Sequence, residues 1–214
     1  MMRRIITALT GASGSIYAKR LVEILNQNGY YQYLMISHPA ADVLKFELEM
    51  DLEQERGILD YRKSVHSLEE IFISNWDLSN PDLISCPDID QYNSIIASGS
   101  SDVDTMVVIP CSMGSIARFS QGFSSNLIER SFDVMLKERR KIVLVPRETP
   151  LNTIHLRNLL SLSEMDVDII PAMPAFYHKP GSIQELVDFI VGRVLEHLGV
   201  KHTLYKKWEG HSDK

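Results

Sequence analysis

The sequence predicts a single doubly wound parallel α/β sheet with helices on both faces, and three observations carry that prediction. Strand-like and helix-like segments alternate along the chain, the pattern of successive β–α units. The central strand candidates are short unbroken apolar runs, such as Ile142-Val143-Leu144-Val145, which suits strands covered on both faces. With 214 residues, 44% hydrophobic and 23% charged, the chain has the size and composition of one ordinary domain that buries its own core.

The elements follow in order. Arg3–Leu9 reads as the first strand: the basic and then apolar start superficially resembles a leader, but Thr7 and Thr10 interrupt it and a glycine turn follows. Ser15–Asn28 is an amphipathic helix with Ile16, Leu21, Ile24 and Leu25 inward, and Gly29 is placed to stop it. Tyr31–Ile36 is a second strand, followed by a helix over Ala40–Glu49. The stretch 51–90, with its turn-rich "SNPDLISCPDID", predicts a short helix and one strand. Thr105–Ile109 is a β-branched central strand, Ser125–Arg140 a helix, Ile142–Val145 a strand, Pro150–Leu162 a helix and Val167–Ile170 the last strand. Ser182-Ile183-Gln184-Glu185 matches a capping box opening a helix with Leu186, Val187, Ile190, Val191 and Val194 buried. Met35, Met106, Met135 and Met165 fall on core faces. The whole is a Rossmann-like domain over residues 1–199 with a C-terminal tail, 200–214, in which Trp208 is an isolated aromatic among polar residues.

Composition excludes several function classes. A net charge of -6 argues against general nucleic-acid binding. No run approaches the roughly 20 apolar residues of a membrane span. Cys86 and Cys111 are the only cysteines, too few for a disulfide framework or a multi-cysteine zinc site, so a cytoplasmic setting is expected. The seven histidines show no H-E-x-x-H or other ligand spacing, and no G-x-S-x-G elbow occurs, so no metal centre is expected.

In doubly wound sheets ligands bind beyond the carboxyl ends of the strands, near the topological switch point. Around the predicted strands stand Thr10-Gly11-Ala12-Ser13-Gly14-Ser15, Ser37-His38, Ala97-Ser98-Gly99-Ser100-Ser101, Pro110-Cys111-Ser112-Met113-Gly114-Ser115, Arg147-Glu148 and Pro171–Tyr177. Glycines allow close backbone approach, and hydroxyls with helix-opening N–H groups hold anions. Neither turn is a G-x-G-x-x-G or a P-loop, so NAD and ATP are disfavoured. Two hydroxyl-rich, helix-opening turns on one edge suit a ligand with a phosphate and a polar chain, such as FMN. Arg130 and Lys137 share a helix face, where a solvated charge run is the plain alternative. Arg147-Glu148, read as lying just before a helix capped by Thr149 with Pro150 in its first turn, can bind a phosphate and manage its proton; a surface ion pair is the alternative.

"TGASGSIYAKRL", "PCSMGS", "NLIERSFDVMLKERRKIVLVPRETPL" and "PAMPAFYHKP" together resemble the UbiX/Pad flavin prenyltransferases, once described as 3-octaprenyl-4-hydroxybenzoate carboxy-lyases. The resemblance spans 3–198 and reaches Trp208, and is poor over 51–90. It implies a metal-independent transfer of a dimethylallyl group from dimethylallyl phosphate to N5 and then C6 of reduced FMN. The product, prenylated FMN, would serve UbiD-type decarboxylases of ubiquinone biosynthesis or aromatic acid metabolism. By this resemblance FMN is held by Gly11, Ala12, Ser13, Ser37, Ser112, Met113, Gly114, Ser115 and Arg147, with Ser98 and Gly99 beside the flavin. Lys137, Arg147, Glu148, Tyr177 and Arg193 surround the prenyl phosphate, Arg130 adds positive potential, and Tyr92 and Trp208 line the prenyl pocket. Glu47, with Ser13, serves ring closure. The resemblance also implies a large homo-oligomer, often a dodecamer, with shared sites. An FMN-dependent cysteine-type decarboxylase and a non-catalytic FMN carrier are the alternatives. Against the former, its Pro-Ala-Ser-Ala-Asn-Thr motif is here Pro110-Cys111-Ser112-Met113-Gly114-Ser115.

Overall fold

A computed structural model describes residues 3–52, 54–55, 58–59 and 67–206. The chain runs β1 (Arg4–Leu9), α1 (Ser15–Gln27), β2 (Tyr31–Ile36), α2 (His38–Leu48), a short antiparallel pair β3 (Gln54–Glu55) and β4 (Ile58–Leu59), α3 (Leu68–Asn75), and β5 (Ile84–Ser85). It continues through β6 (Thr105–Cys111), α4 (Met113–Ser120), α5 (Leu127–Lys137), β7 (Lys141–Pro146), α6 (Thr153–Ser163), β8 (Asp168–Ile169) and α7 (Ile183–His197). The main sheet has the order β5-β2-β1-β6-β7-β8, and every pairing in it is parallel.

The order reverses direction at β1 and β6, so the crevice between their carboxyl ends is the switch point. Strand alternation sends side chains to two cores. Ile5, Leu9, Val107, Ile109, Val143 and Val145 face a cluster with α1, α2 and α7. Ile6, Ala8, Met106, Val108, Ile142 and Leu144 face a second cluster with α4 and α5. Each of these side chains larger than alanine, withdrawn from water, contributes about 1.5–3 kcal/mol to holding the sheet beneath the site. Thr7 inside β1 is tolerated because its hydroxyl donates to Gln32 Oε1 at 3.3 Å while Gln32 Nε2 donates to Val22 O at 2.9 Å.

Several expectations need correction. The segment after β6 folds as two helices, α4 and α5, and α5 begins only after Asn126, whose side chain accepts from Glu129 N. Thr149 is not a helix cap. Asn152 caps α6, accepting from His155 N at 2.9 Å while His155 Nδ1 accepts from Asn152 N, so 147–152 is a loop. Arg147-Glu148 therefore stands off from the helix start. Met165 is 40% exposed rather than in the core, because α6 has already ended. Leu186 is half-buried. Ser182 caps α7 by accepting from Glu185 N at 3.2 Å, but Glu185 reaches back to Gly181 N rather than to Ser182, so the box is half-formed. Among the described residues no helix is long and apolar enough to cross a membrane.

Candidate active site

The switch point is tied together by Thr10. This buried hydroxyl donates to Pro110 O at 3.1 Å and accepts from Ser112 N at 2.7 Å, and Thr10 N donates to the same Pro110 carbonyl. The turns after β1 and β6 are thus one unit. On the β6 side Ser112 caps α4, its hydroxyl accepting from Ser115 N at 3.1 Å and lying 3.0 Å from Ser115 Oγ. On the β2 side Ser37 caps α2, accepting from Ala40 N at 3.3 Å, and its own N–H donates to Leu9 O. The starts of α2 and α4 therefore flank the same crevice, with first-turn N–H groups beyond the sheet edge. Met113 is buried in the second core, which leaves its backbone N–H rather than its side chain for a ligand.

The β1–α1 turn leaves space for close approach. A Cβ on Gly11 would stand 2.5 Å from Pro39 Cβ, and Gly14 holds a left-handed φ of 116° where a Cβ would meet the Tyr17 ring at 2.9 Å. Helix α1 carries no acidic residue in its first turn, and Gly14 offers no side-chain cap. Glu47, from the last turn of α2, fills that role: its carboxylate accepts from Gly14 N at 2.9 and 3.1 Å and from Ser15 N at 2.7 Å. Burial pushes the Glu47 carboxyl up, but the Ser13 hydroxyl and the Gly14 and Ser15 N–H groups outweigh it, so the group lies below the usual carboxylate range. Arg147, at the end of β7, donates from Nε to Ser13 O at 3.3 Å. Its neighbour Glu148 accepts from Thr149 N at 3.0 Å and is half-buried. Ser13, Glu47 and Arg147 are thus brought together, with Glu148 adjacent in sequence. Small turns, capping hydroxyls, N–H donors and one cation form a donor set that fits FMN, which would be held by Gly11, Ala12, Ser13, Ser37, Ser112, Gly114, Ser115 and Arg147.

The other predicted residues form two further clusters. Ser98 and Gly99 precede β6 and Lys137 ends α5, so all three lie at the amino edge of the sheet, opposite the crevice. The turn that the resemblance sets beside the flavin therefore lies on the opposite edge from the carboxyl-end turns of the same chain. Lys137 Nζ donates to Glu138 Oε1 at 2.6 Å. Arg130 donates to Ala97 O at 3.1 Å and to Asp133 at 3.0 Å, so its charge is already engaged. Tyr177 and Arg193 line an open groove with Glu196, His202 and Tyr205. Arg193 pairs with Glu196, and its pKa is raised chiefly by the hydrogen bond to Tyr205. Tyr92 is 48% exposed and donates to Ser124 O at 3.0 Å. Trp208 lies outside the described residues.

Sequence reasoning missed three contributors: Thr10 as the bridge, Pro39 as the wall behind Gly11, and Arg140, which binds the Gly99–Val103 backbone. The only signal for Thr10 was its place directly after an apolar strand.

The sequence model of a family described as Flavoprotein matches residues 1–195. The flavin prenyltransferase UbiX of Alkalihalophilus pseudofirmus is 46% identical over 200 residues, covering 94% of this chain and 93% of that protein. A crystal structure of AnUbiX (PadA1) in complex with FMN and dimethylallyl pyrophosphate superposes with a TM-score of 0.81 at 34% identity, covering 99% of this chain and 100% of that one. A dodecameric FMN-dependent UbiX-like decarboxylase from Escherichia coli O157:H7 gives 0.79 at 34% identity, covering 97% and 100%.

Proposed function

The chain belongs to the Flavoprotein family, among its UbiX-type flavin prenyltransferases, and from that premise we propose that it transfers a dimethylallyl group from dimethylallyl phosphate to reduced FMN. The observation that carries this is the cluster at the switch point, where Ser13, Glu47 and Arg147 converge from three different elements. A site that only stored FMN needs the turns and the cation but has no use for a second carboxylate, Glu148, beside them.

When bound, reduced FMN supplies the nucleophilic ring that accepts the prenyl group. The protein's part is to ionise the donor and to steer protons. Cleavage of an allylic phosphate leaves charge on the departing oxygens, and Arg147 with Lys137, Tyr177 and Arg193 is the set proposed to stabilise it without a metal. Glu148 is proposed to manage the proton of the leaving phosphate. Glu47, held as a carboxylate, is proposed to take the proton released as the new ring closes, relayed through the Ser13 hydroxyl. Tyr92 and Trp208 are proposed as the aromatic wall that excludes water from the allylic cation.

One chain separates these groups. Seven-residue β6 spans about 20 Å, so Lys137 at the amino edge does not reach its own carboxyl-edge crevice. We therefore assign Lys137, Arg130, Ser98 and Gly99 to the crevice of a neighbouring copy in a homo-oligomer. Exposed Ile154, Leu156 and Leu160 along α6 support such an assembly. Transfer of the product to a UbiD-type decarboxylase, in ubiquinone biosynthesis or aromatic acid decarboxylation, and a cytoplasmic setting complete the reading; the free, buried Cys86 and Cys111 accord with a reducing compartment. A cysteine-type decarboxylase and a passive FMN carrier are not favoured by the relatives' prenyltransferase identity.

Anaerobic incubation with reduced FMN and dimethylallyl phosphate, followed by mass spectrometry of the flavin, is the test. The flavin gains one five-carbon unit with the wild-type chain and not with Glu148→Gln. Unmodified FMN with both the mono- and the diphosphate donor would overturn the proposal.

A further inference from the structure

We propose that Arg140 is a positioning residue for prenyl-phosphate binding: it fixes the Ser98–Ser101 turn against the Lys137 ammonium. The proposal rests on the reading that Lys137 and this turn belong to the reactive site.

The segment from Ile89 to Val103 runs alongside α5. Leu127 N donates to Ile89 O at 2.7 Å at one end, Arg130 Nε donates to Ala97 O midway, and Gly99 meets Lys137 at the other end. Its last part has no strand partner of its own, so its carbonyls need donors from elsewhere. Arg140 supplies them. Nη1 donates to Ser101 Oγ at 2.9 Å and to Val103 O at 2.8 Å, and Nη2 donates to Gly99 O. Three acceptors on three residues fit the fixed fork of a guanidinium, whereas an ammonium on a flexible stem presents a single point. Arg140 is itself held, because its N–H donates to Met135 O at 2.8 Å just after Arg139 takes a left-handed φ of 54°.

What this turn does to Lys137 is visible at Gly99. A Cβ there would overlap Glu138 Oε1 and come within 3.0 Å of Lys137 Nζ, so the turn is pressed directly against the Lys137–Glu138 pair. Within the turn Ser98 Oγ lies 2.8 Å from Ser100 Oγ and accepts from Ser100 N at 3.3 Å, which ties together the two residues flanking the glycine that meets the ammonium. Arg140 also lowers the Glu138 carboxyl, after the larger effects of the Lys137 hydrogen bond and charge, which favours the anion that orients Lys137. In the sequence Arg140 is one cation in "KERRK" and reads as part of a solvated run. In the fold it is the residue that gives the Lys137 cation a fixed floor.

The test compares Arg140→Met, Arg140→Lys and Lys137→Met, as full-length chains, in the anaerobic transfer assay at saturating reduced FMN. In Arg140→Met the KM for dimethylallyl phosphate rises about tenfold while kcat stays within about twofold, because binding is lost equally in ground and transition states. Arg140→Lys, which keeps the stem and one donor, moves KM in the same direction by a smaller factor, and it decides the matter where Arg140→Met does not accumulate. A purely structural role gives the opposite split: kcat falls with the folded fraction and KM is unchanged, which overturns the proposal. Lys137→Met separates the two claims. A raised KM there with an unchanged KM in both Arg140 variants removes the positioning role and leaves the site intact. An unchanged KM in Lys137→Met removes the phosphate role of Lys137, and the inference with it.

Discussion

Replacing Glu47 probes the one cap on α1 that comes from elsewhere in the chain. Helix α1 starts at a glycine and has no acidic residue in its first turn, so its leading N–H groups depend on the Glu47 carboxylate, 2.7 Å from Ser15 N and 2.9 Å from Gly14 N. A side-chain N-cap contributes about 1 kcal/mol. Negative charge at a helix start adds about 0.3–1 kcal/mol, and Glu47 is exposed enough that the lower figure applies. Glu47→Ala should then cost roughly 1.3 kcal/mol, or about 3–5 °C in Tm for a chain of this size. Glu47→Gln keeps an acceptor and loses the charge, which gives about 1 °C. The folded-state carboxyl lies below its ordinary value, so its stabilisation is complete at neutral pH and disappears as pH falls through the folded-state value, below about 4.3. Melting the FMN-free proteins by circular dichroism at pH 7 and at about pH 3.5, at one protein concentration, checks both parts. Equal melting temperatures at pH 7, or a gap that widens on acidification, would refute the capping argument.

Two further substitutions test the crevice. Thr10→Val is nearly isosteric but strands a part-buried Ser112 N–H and weakens the tie to Pro110 O, so it should cost about 1–3 kcal/mol. A lowered urea midpoint with an unchanged m-value is the expected result, and an unchanged midpoint would remove Thr10 as the bridge. Arg147→Met withdraws the cation that donates to Ser13 O in the β1–α1 turn, and FMN affinity should fall about tenfold by fluorescence titration, with little change in Tm. Undiminished FMN binding would remove Arg147 from the set that holds FMN.

The parts of the fold legible in the sequence are those decided locally. β2 falls at Tyr31–Ile36 as predicted, since a short aromatic and aliphatic run between turns is its own signal. The Ser182 cap stands beside its helix for the same reason. The helix after β7 was misplaced because Thr149-Pro150 is an ordinary opening signal, and the true cap, Asn152, competes with it three residues later through the unusual partner His155. The Glu47 cap was approached only through family resemblance, because no spacing rule links a carboxylate to N–H groups 32 and 33 residues away.

The division of the proposed site follows from sheet geometry. In a parallel sheet every strand delivers its following turn to one edge, while every crossover helix delivers its last turn to the other. Ser13, Ser112 and Arg147 are strand-end residues and collect in the crevice; Lys137 is a helix-end residue and Ser98 precedes a strand, so neither can join them within the chain. A linear sequence hides this, since a serine-rich turn before a strand looks the same as one after it. Yet the amino-edge group is built with as much care as the crevice: the guanidinium of Arg140 immobilises three acceptors so that Gly99 can lie against the Lys137–Glu138 pair. A merely solvated lysine would need no such floor. The cost of ordering that turn is understandable if the ammonium it supports is, as proposed, the one that meets a phosphate held by another copy of the chain.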